Sequence, residues 1–285
     1  MPVLVDFSQI AISSLMAQMG GHHHLEVDEN ILRHIILNVL RANRKKFCNK
    51  YGELVICIDD RNFWRRTYFP YYKAARKKNR EESELNWNSI FNSLSKIREE
   101  IREFFPYKVI QVNTAEADDI IGTIVHEFGT HVHCGGEDFL ILSGDKDFVQ
   151  LHQFVNVKQY DPTRKKWIKH SDPEAYLFEH IVRGDKGDGV PNILSDDNAF
   201  VMNIRQRPIT KKRLAEYADI NNMNSRETRN FQRNETLIDL EKVPESIKKE
   251  VLRQFNEENT KNRSQLLNFF IKNRMKLMIE SLNDF

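Results

Sequence analysis

The stretch FLILSGDKDF, residues 139–148, joins a short apolar run to two aspartates that stand one residue apart. Four consecutive apolar residues are typical of a strand buried on both faces of a parallel sheet. Asp145 and Asp147 follow where that strand should end. Three more apolar runs lead into polar residues in the same way: VLV before Asp6, ELVICI before Asp59 and YKVIQV before Asn113.

Segments with helical spacing of apolar residues separate these runs, for example ENILRHIILNVLRAN (29–43) and WNSIFNSLSKIREEIREFF (87–105). Strands that alternate with helices predict an α/β domain, with a parallel central sheet flanked by helices. We place this domain at residues 1–180, with a further strand, NVKQY, and a turn over DPTRKKW (161–167).

Residues 181–285 have fewer strand signals and predict a smaller helical C-terminal region. Its candidate helices are TKKRLAEYADI (210–220), ESIKKEVLRQFN (245–256) and RSQLLNFFIKNRMKLMIESL (263–282). The apolar residues of LLNFF are expected to pack in the core.

Charge and cysteine content limit the class of protein. The formal net charge is only +2, but acids cluster after the strands whereas Lys and Arg concentrate in residues 61–80 and in the last third. Such segregation suits a protein that holds a polyanion around an acidic site. Three cysteines without a CxxC pair favour a reducing compartment. The first residues do not resemble a signal peptide and no apolar run reaches about 20 residues, so we expect a cytoplasmic protein without a membrane partner.

Carboxylates follow every predicted strand, and the carboxyl ends of parallel strands meet at one edge of a sheet. Each acid alone has a structural alternative: Asp6 or Asp59 can serve in a turn, and Asn113 with Glu116 resembles a capping box at a helix start. The acids in question are Asp6, Asp59, Glu116, Asp118, Asp119, Asp145, Asp147, Asp185 and Asp188.

These acids cannot all be ionised together without compensation. Two carboxylates about 5 Å apart repel by roughly 3 kcal/mol at an effective dielectric of about 20. Either several remain protonated or cations neutralise them. Since no His or Cys alternates with the acids, the set suits hard cations, Mg²⁺ first and Mn²⁺ as a substitute. Two such ions roughly 4 Å apart are a common arrangement for cleaving phosphodiesters.

The segment RNFWRRTYFPYYKAARKKNR (61–80) contains eight Lys or Arg residues, six aromatics and no acid. It could form a solvated basic helix with its aromatic rings on the core. Because it directly follows Asp59, we favour a segment that grips a nucleic-acid strand, with cations on phosphates and aromatics on unpaired bases.

Taken together, these motifs resemble the flap endonuclease (5′-nuclease) superfamily, and within it the ribonuclease H branch of T-even bacteriophages. The resemblance spans nearly the whole chain. It rests on LVDFSQIA, CIDD, FWRR, YYKAARKKNREES, AEADD, SGDKDFVQLH, VKQYDPTRKKW, RGDKGDGV, NETLIDLEKVPESI and SLNDF. It implies a PIN-like, Rossmann-like nuclease domain with a helical arch at about residues 61–85, and a C-terminal region that binds duplex DNA.

The resemblance also implies roles for particular residues. The first of two Mg²⁺ ions would be held by Asp6, Asp59, Glu116, Asp118 and Asp145. The second would be held by Asp147, Asp185 and Asp188, partly through water, with Asp119 beside them. Lys73 and Arg65 would approach the scissile phosphate, and Arg66, Arg76 and Arg80 would contact other phosphates of the strand.

The implied activity is that of a 5′-3′ exonuclease, flap endonuclease and ribonuclease H. It would remove RNA primers and adjacent DNA during phage replication. The implied partners are DNA and RNA·DNA hybrids with 5′ ends or flaps, a single-strand-binding protein and a sliding clamp. The protein would act as a monomer in the cytoplasm of an infected host cell.

The chain departs from the wider superfamily after Asp188, where relatives have a glycine-rich turn. GDGVPNILSDDNAFV has a single glycine after Asp188 and adds Asp196 and Asp197, which places a bound monovalent ion there in doubt. Duplex binding would then rely on RQRPITKKR (205–213), including Lys211 and Lys212, although this stretch could also be a solvated loop and helix start.

Two alternative functions remain open. One is a PIN-type endoribonuclease that cuts single-stranded RNA, although such domains lack the arch segment and the second region. The other is a non-catalytic nucleic-acid-binding accessory protein of replication, which the complete series of acids disfavours. We expect a surface loop at His22–His24, and no zinc site at His131, His133 and Cys134, because a second ligand pair is missing at suitable spacing.

Overall fold

The computed structural model describes residues 2–19, 28–131 and 138–285, without the side chains of Lys78 and Asn79. One sheet is formed by β1 Val3–Asp6, β2 Leu54–Cys57, β3 Lys108–Ile110, β4 Phe139–Leu142, β5 Val157–Asp161 and β6 Lys166–Ile168. Its strand order is β3-β2-β1-β4-β5-β6. The first five strands run parallel, and β6 pairs antiparallel with β5.

The helices of the first 183 residues are α1 Phe7–Met19, α2 Glu29–Tyr51, α3 Trp64–Tyr68, α4 Ala75–Glu81, α5 Trp87–Phe104, α6 Ala117–Phe128 and α7 Pro173–Arg183. Those that follow are α8 Lys211–Glu216, α9 Ser225–Ile238, α10 Glu245–Asn256, α11 Leu266–Lys272 and α12 Lys276–Ile279. Short 3₁₀ helices occupy Asp147–Gln153, Ile220–Asn222, Leu240–Lys242 and Leu282–Asp284.

The α/β architecture predicted from the apolar runs is confirmed. β1, β2 and β4 are buried along their whole length, as expected for strands covered on both faces. β1 lies between β2 and β4, so the residues that follow these three strands are neighbours at one edge. The turn expected over 161–167 is shorter than predicted, because its end already pairs with β5 as β6.

Two apolar layers cover the sheet. Val3 and Val5 of β1 pack in a layer with α1, α2 and α5, whereas Leu4 packs in a second layer with α6 and α10. Helix α5 turns a regular stripe towards the first layer, formed by Ile90, Leu94, Ile97 and Ile101. This alternation along β1 and the helical stripe explain why the sequence patterns identified both kinds of element.

The last helices pack on the sheet as well. Leu266, Phe269 and Phe270 are buried in the first layer, which confirms the core role expected for LLNFF. The single helix predicted over 263–282 is wrong, because Arg274 adopts a left-handed conformation (φ 54°) between α11 and α12. Residues on both sides of position 180 thus share the cores that flank the sheet. Among the described helices, none is both long and apolar enough to cross a membrane.

Candidate active site

Asp6 ends β1 and lies at the centre of the acidic edge. Its Oδ2 accepts a hydrogen bond from Ser143 Oγ (3.0 Å), and its Oδ1 accepts one from the Gln9 amide (3.1 Å). The side chain is almost fully buried. Burial, followed by the charges of Asp59 and Asp145, raises the pKa of Asp6 to about 8. The edge therefore holds more carboxylates than it can keep ionised.

The doublet Asp145 and Asp147 forms a turn that is held by side chains. Asp145 N–H donates to Ser143 Oγ (3.1 Å), and Asp147 N–H donates to Asp145 Oδ1 (3.1 Å). Burial and the neighbouring charge of Asp145 raise the pKa of Asp147 to about 8. The two carboxyl groups thus lie beside one another at the end of β4, and the nearby His180 does not bring the pKa of Asp147 back to its ordinary value.

Asp59 and Asp118 complete this group of acids. Asp59 Oδ1 accepts a hydrogen bond from the Ala117 amide (2.8 Å), so the end of β2 is tied to the start of α6. Asp118 lies in the first turn of α6. Burial and the charges of Asp6 and Asp145 raise its pKa well above the ordinary value. The charges of these carboxylates raise one another's pKa values, as expected if the acids that follow β1 and β4 lie close to those of α6.

The carboxylate of Asp119 is engaged by neighbouring groups of the protein. Its Oδ2 accepts hydrogen bonds from the Glu116 amide (2.8 Å) and the Trp64 indole (3.0 Å), and its Oδ1 lies 2.7 Å from Arg65 Nη1. The capping box suggested for Asn113 and Glu116 is wrong, because α6 begins one residue after Glu116 and the reciprocal acid is Asp119.

Cations of the arch segment pair with the remaining acids. Lys73 Nζ contacts Glu116 Oε1 and lies 3.3 Å from Asp188 Oδ2, and Arg65 Nη1 lies 3.0 Å from Glu116 Oε2. Tyr72 Oη is within 2.8 Å of Glu116 and 2.7 Å of Asp188. Burial would raise the pKa of Glu116, but Lys73 and Arg65 lower it below its usual value.

The backbone fixes this contact too. Lys73 is held in a left-handed conformation (φ 55°), and its amide donates to the Asp188 carbonyl (2.7 Å). Gly189 has φ 73°, and a Cβ there would lie 3.0 Å from the Tyr71 carbonyl. A glycine at this position lets the turn after Asp188 meet the arch segment closely. Together with Arg65 and Tyr72, this packing leaves a gap of only about 10 Å³ beside Asp118, Asp147, Asp185 and Asp188.

The cations predicted to bind nucleic acid fall into two groups. Lys73 and Arg65 are buried, with Arg65 also donating to the Leu237 carbonyl (2.8 Å). Arg66 and Arg76 are exposed and Arg80 is half-buried. All three line an open cleft of about 760 Å³ that also contains Asp59, Asp60, Lys73, Trp87 and Phe91. Arg76 reaches from this cleft to the Asp188 carboxylate.

His180 is the residue that sequence reasoning missed. It lies on α7, and its Nε2 is 3.2 Å from Asp185 Oδ2 while its Nδ1 is 3.7 Å from Asp147 Oδ1. The argument that no His alternates with the acids is therefore wrong, because His180 lies between Asp147 and Asp185 in the folded protein. Only the five-residue spacing of His180 and Asp185 across a helix end could have indicated it.

The acids added after Asp188 are engaged within the protein. Asp196 pairs with Arg226, and Asp197 pairs with Arg229 (2.6 Å) and Arg233 (2.5 Å) of α9. Arg233 is buried and also donates to the Pro191 carbonyl (2.8 Å). Lys211 and Lys212 lie exposed in the first turn of α8.

The two histidine-rich motifs are only partly within the described residues. His22–His24, His133 and Cys134 lie outside them. The ring of His131 packs on Phe154, with 4.8 Å between the ring centroids.

Comparison with known proteins places this arrangement in a family. Residues 3–180 match the 5′-3′ exonuclease N-terminal resolvase-like domain, and residues 171–285 match the C-terminal domain of T4 RNase H. The chain belongs to the 5′-3′ exonuclease family. It is 32% identical to ribonuclease H of Enterobacteria phage T4 over 99% of this chain and 95% of that protein. The family assignment makes it a 5′-3′ nuclease, a hydrolase of phosphodiesters.

Solved structures agree on the fold. The D15 protein of phage T5, co-crystallised with metal ions, superposes with a TM-score of 0.60 at 15% identity, covering 89% of this chain and 98% of D15. A complex of D15 flap endonuclease with DNA and metal ions gives the same score, covering 90% and 99%. The PIN-like, Rossmann-like fold predicted from the sequence is thus confirmed, in agreement with the match of residues 3–180 to a resolvase-like domain.

Proposed function

We propose that this 5′-3′ nuclease uses two divalent ions, Mg²⁺ with Mn²⁺ as a substitute, to hydrolyse phosphodiesters at the 5′ ends of annealed RNA and DNA. The observation that carries the proposal is the convergence of buried and half-buried carboxylates that follow β1, β2 and β4 or begin α6 on one edge. Asp6, Asp118 and Asp147 all have raised pKa values, caused by burial and by one another's charge or that of Asp145. A divalent cation would remove this repulsion.

The donor set fits such ions, because carboxylate oxygens on a rigid strand edge are ligands that Mg²⁺ accepts. Asp6, Asp59, Asp118 and Asp145 would hold the first ion, and Asp147 and Asp185 the second. When bound, the ions supply Lewis-acid activation of water and stabilise charge on the leaving oxygen. The resemblance also assigned Glu116 to the first ion and Asp188 to the second, and these assignments stay predictions. In this structure both acids already contact Lys73 and Tyr72, so we propose that they contribute mainly by holding these two side chains next to the group.

Lys73 would neutralise charge that develops on the scissile phosphate. It borders the open cleft and the acids at once, so a phosphate that enters the cleft can replace Glu116 or Asp188 as its partner. Arg65 is buried and, unlike Lys73, does not line the cleft. Its contacts with Glu116, Asp119 and Leu237 fix the arch segment to α6 and α9. We assign Arg65 the task of positioning Glu116, and through Glu116 the ammonium group of Lys73.

The cleft is a suitable path for a single strand. Arg66, Arg76 and Arg80 can follow successive phosphates, and Trp87 and Phe91 offer apolar ring surface for bases. Lys211 and Lys212 remain candidate contacts to duplex DNA. The structure of D15 with DNA supports DNA as a substrate, and the relationship to T4 ribonuclease H supports RNA·DNA hybrids.

The biological setting follows the phage relative. We propose removal of RNA primers and adjacent DNA during phage replication, in the cytoplasm of the infected host. A monomeric state and contacts with a single-strand-binding protein and a sliding clamp remain predictions. So does the division into residues 1–180 as nuclease domain, 61–85 as arch and 181–285 as duplex-binding region.

A cleavage assay with a 5′-labelled strand tests the proposal. The strand is offered annealed as RNA·DNA, as a 5′-flapped duplex and as single-stranded RNA, each with Mg²⁺ and with EDTA. We expect Mg²⁺-dependent short products from the first two substrates only. Cleavage confined to single-stranded RNA would favour the endoribonuclease alternative, and binding without cleavage would favour the accessory protein.

A further inference from the structure

His180 is held between Asp147 and Asp185 by contacts from several elements. The Asp188 amide donates to Asp185 Oδ1 (2.9 Å), which leaves Asp185 Oδ2 facing His180 Nε2 at 3.2 Å. On the other side, Asp147 begins the 3₁₀ helix that packs against α7. Tyr176, one turn earlier on α7, lies edge-on to the imidazole with 5.9 Å between centroids. The side chain of His180 is only 15% exposed, so its ring faces the acids and not solvent.

The three side chains have the spacing of metal ligands. One ligand atom each from Asp147, His180 and Asp185 lies within 4.8 Å of the other two. Neighbouring ligands of a six-coordinate ion with bonds of about 2.1 Å are roughly 3 Å apart, and opposite ligands roughly 4 Å. The 3.2 Å between His180 Nε2 and Asp185 Oδ2 falls between these values. The 3.7 Å contact with Asp147 Oδ1 is made by the other ring nitrogen, Nδ1, so a shared site would use one nitrogen and would need a shift of the ring or of one carboxylate.

We propose that His180 supplies a nitrogen ligand to the second divalent ion and thereby makes that site prefer Mn²⁺ over Mg²⁺. Imidazole nitrogen is a good ligand for transition metals, whereas Mg²⁺ selects oxygen ligands. The remaining acids offer oxygen only, so the preference would be confined to the site of Asp147, His180 and Asp185. This inference rests on the proposed two-ion function, but it concerns which metal binds and not whether cleavage occurs.

Electron paramagnetic resonance on the full chain with Mn²⁺ tests this without any turnover. A titration counts bound Mn²⁺ and gives its Kd, and competition with Mg²⁺ gives the preference between the ions. Electron spin-echo envelope modulation detects an imidazole nitrogen on Mn²⁺, and ¹⁵N-histidine labelling confirms its source. We expect histidine modulation in the unmodified protein.

The variants His180→Ala and His180→Gln should lose that modulation. They should weaken Mn²⁺ binding at this site by about tenfold or more, the scale on which metal sites respond to lost support. Mg²⁺ binding should change much less. His34→Ala, on α2 away from the acids, is the matched control and should retain both the modulation and the Mn²⁺ preference.

The possible failures are distinguishable. Bound Mn²⁺ without histidine modulation, or an unchanged Mn²⁺ to Mg²⁺ ratio in both His180 variants, would overturn the role of His180 while leaving the proposed nuclease mechanism intact. If the unmodified protein bound neither ion, the role of His180 and the two-ion mechanism would both be wrong. The modulation measurement needs no variant, so a folding defect at position 180 cannot obscure the result.

Discussion

Asp145, one of the proposed metal ligands, lies where its charge is unfavourable to the neighbouring acids. It raises the pKa values of Asp6, Asp118 and Asp147, so its charge is unfavourable to all three neighbours. Its backbone is nevertheless tied to Ser143, and its Oδ1 accepts from the Asp147 amide. The fold thus holds a repulsive group in place, which is expected where a bound ion supplies the compensation.

We predict that Asp145→Asn abolishes cleavage but leaves metal-free stability equal or higher. Asparagine keeps the carbonyl oxygen that accepts from Asp147, and it removes repulsion worth up to about 3 kcal/mol per ionised neighbour at 5 Å. Urea denaturation with EDTA at pH 8 measures the free energy of unfolding. Asp138→Asn, which breaks a surface pair with Lys158, is the control and should retain cleavage. A clear loss of stability in the metal-free Asp145 variant would contradict the repulsion argument.

A second prediction concerns Lys73, whose ammonium group borders both the acids and the cleft. Lys73→Ala should slow cleavage by about a hundredfold, the usual effect of removing one group that stabilises transition-state charge, while substrate binding changes only a few-fold. Single-turnover rates and binding in Ca²⁺ measure the two separately. Lys77→Ala removes an exposed cation from α4 of the same arch segment and should affect both little. Equal losses in rate and affinity at Lys73 would reduce it to an ordinary phosphate contact.

Among the elements, the contact between the arch segment and the turn after Asp188 depends on backbone geometry. Gly189→Ala introduces a Cβ 3.0 Å from the Tyr71 carbonyl at a positive φ. The unfolding free energy should fall by about 1–2 kcal/mol, the cost of a left-handed conformation for alanine. The Lys73 amide donates a hydrogen bond to the carbonyl of Asp188, the residue next to Gly189. A shift of this turn should therefore displace Lys73 and reduce cleavage as well. Thermal melts and cleavage rates check this, and a variant with unchanged cleavage would show that the contact is dispensable.

The elements also show what sequence patterns can and cannot predict. The apolar runs of β1, β2 and β4 identified the buried strands, because a strand covered on both faces needs apolar residues at every position. The break between α11 and α12 left none, because Arg274 is an ordinary helix former in sequence although its backbone is left-handed in the structure. His180 was missed for a similar reason, since its partners follow from how α7 docks on the sheet edge and not from spacing alone.

In the whole molecule, some of the cations that the sequence separates from the acids form ion pairs with those acids in the folded chain. The arch cations that the sequence assigned to nucleic acid are divided between acids of the site, as with Arg65 and Lys73, and the open cleft, as with Arg66 and Arg80. Sequence could predict that cations and acids meet, but not which cations would be buried. Among the described residues, Asp6 has no Lys or Arg partner and Asp147 has only His180 beside it, so the pKa values of both acids stay raised. This gives the molecule a measurable dependence of stability on pH.

We predict that metal-free stability decreases as pH rises from about 4 to 8. Asp6 and Asp147 keep their protons up to about pH 8 in the folded state. Unfolded aspartates release them near pH 4, so between pH 4 and 8 the folded state binds more protons than the unfolded state. Each such group therefore lowers the free energy of unfolding by up to about 1.4 kcal/mol for each pH unit of increase. His180 acts in the same direction, because its pKa is raised by its hydrogen bond to Asp185 in spite of burial.

Urea denaturation with EDTA across this pH range measures the slope. Asp6→Asn should make it shallower, and Asp138→Asn, at the opposite end of β4, should leave it unchanged. Stability that increases with pH throughout the range would contradict the pKa values assigned to the buried acids.

The convergence of acids on two metal ions is tested most directly by anomalous diffraction from crystals grown with Mn²⁺. We predict two peaks roughly 4 Å apart at the carboxyl ends of β1, β2 and β4. One should lie among Asp6, Asp118 and Asp145, and the other beside Asp147 and Asp185. Crystals that show no Mn²⁺ peak at this edge would contradict the two-ion account of the nuclease.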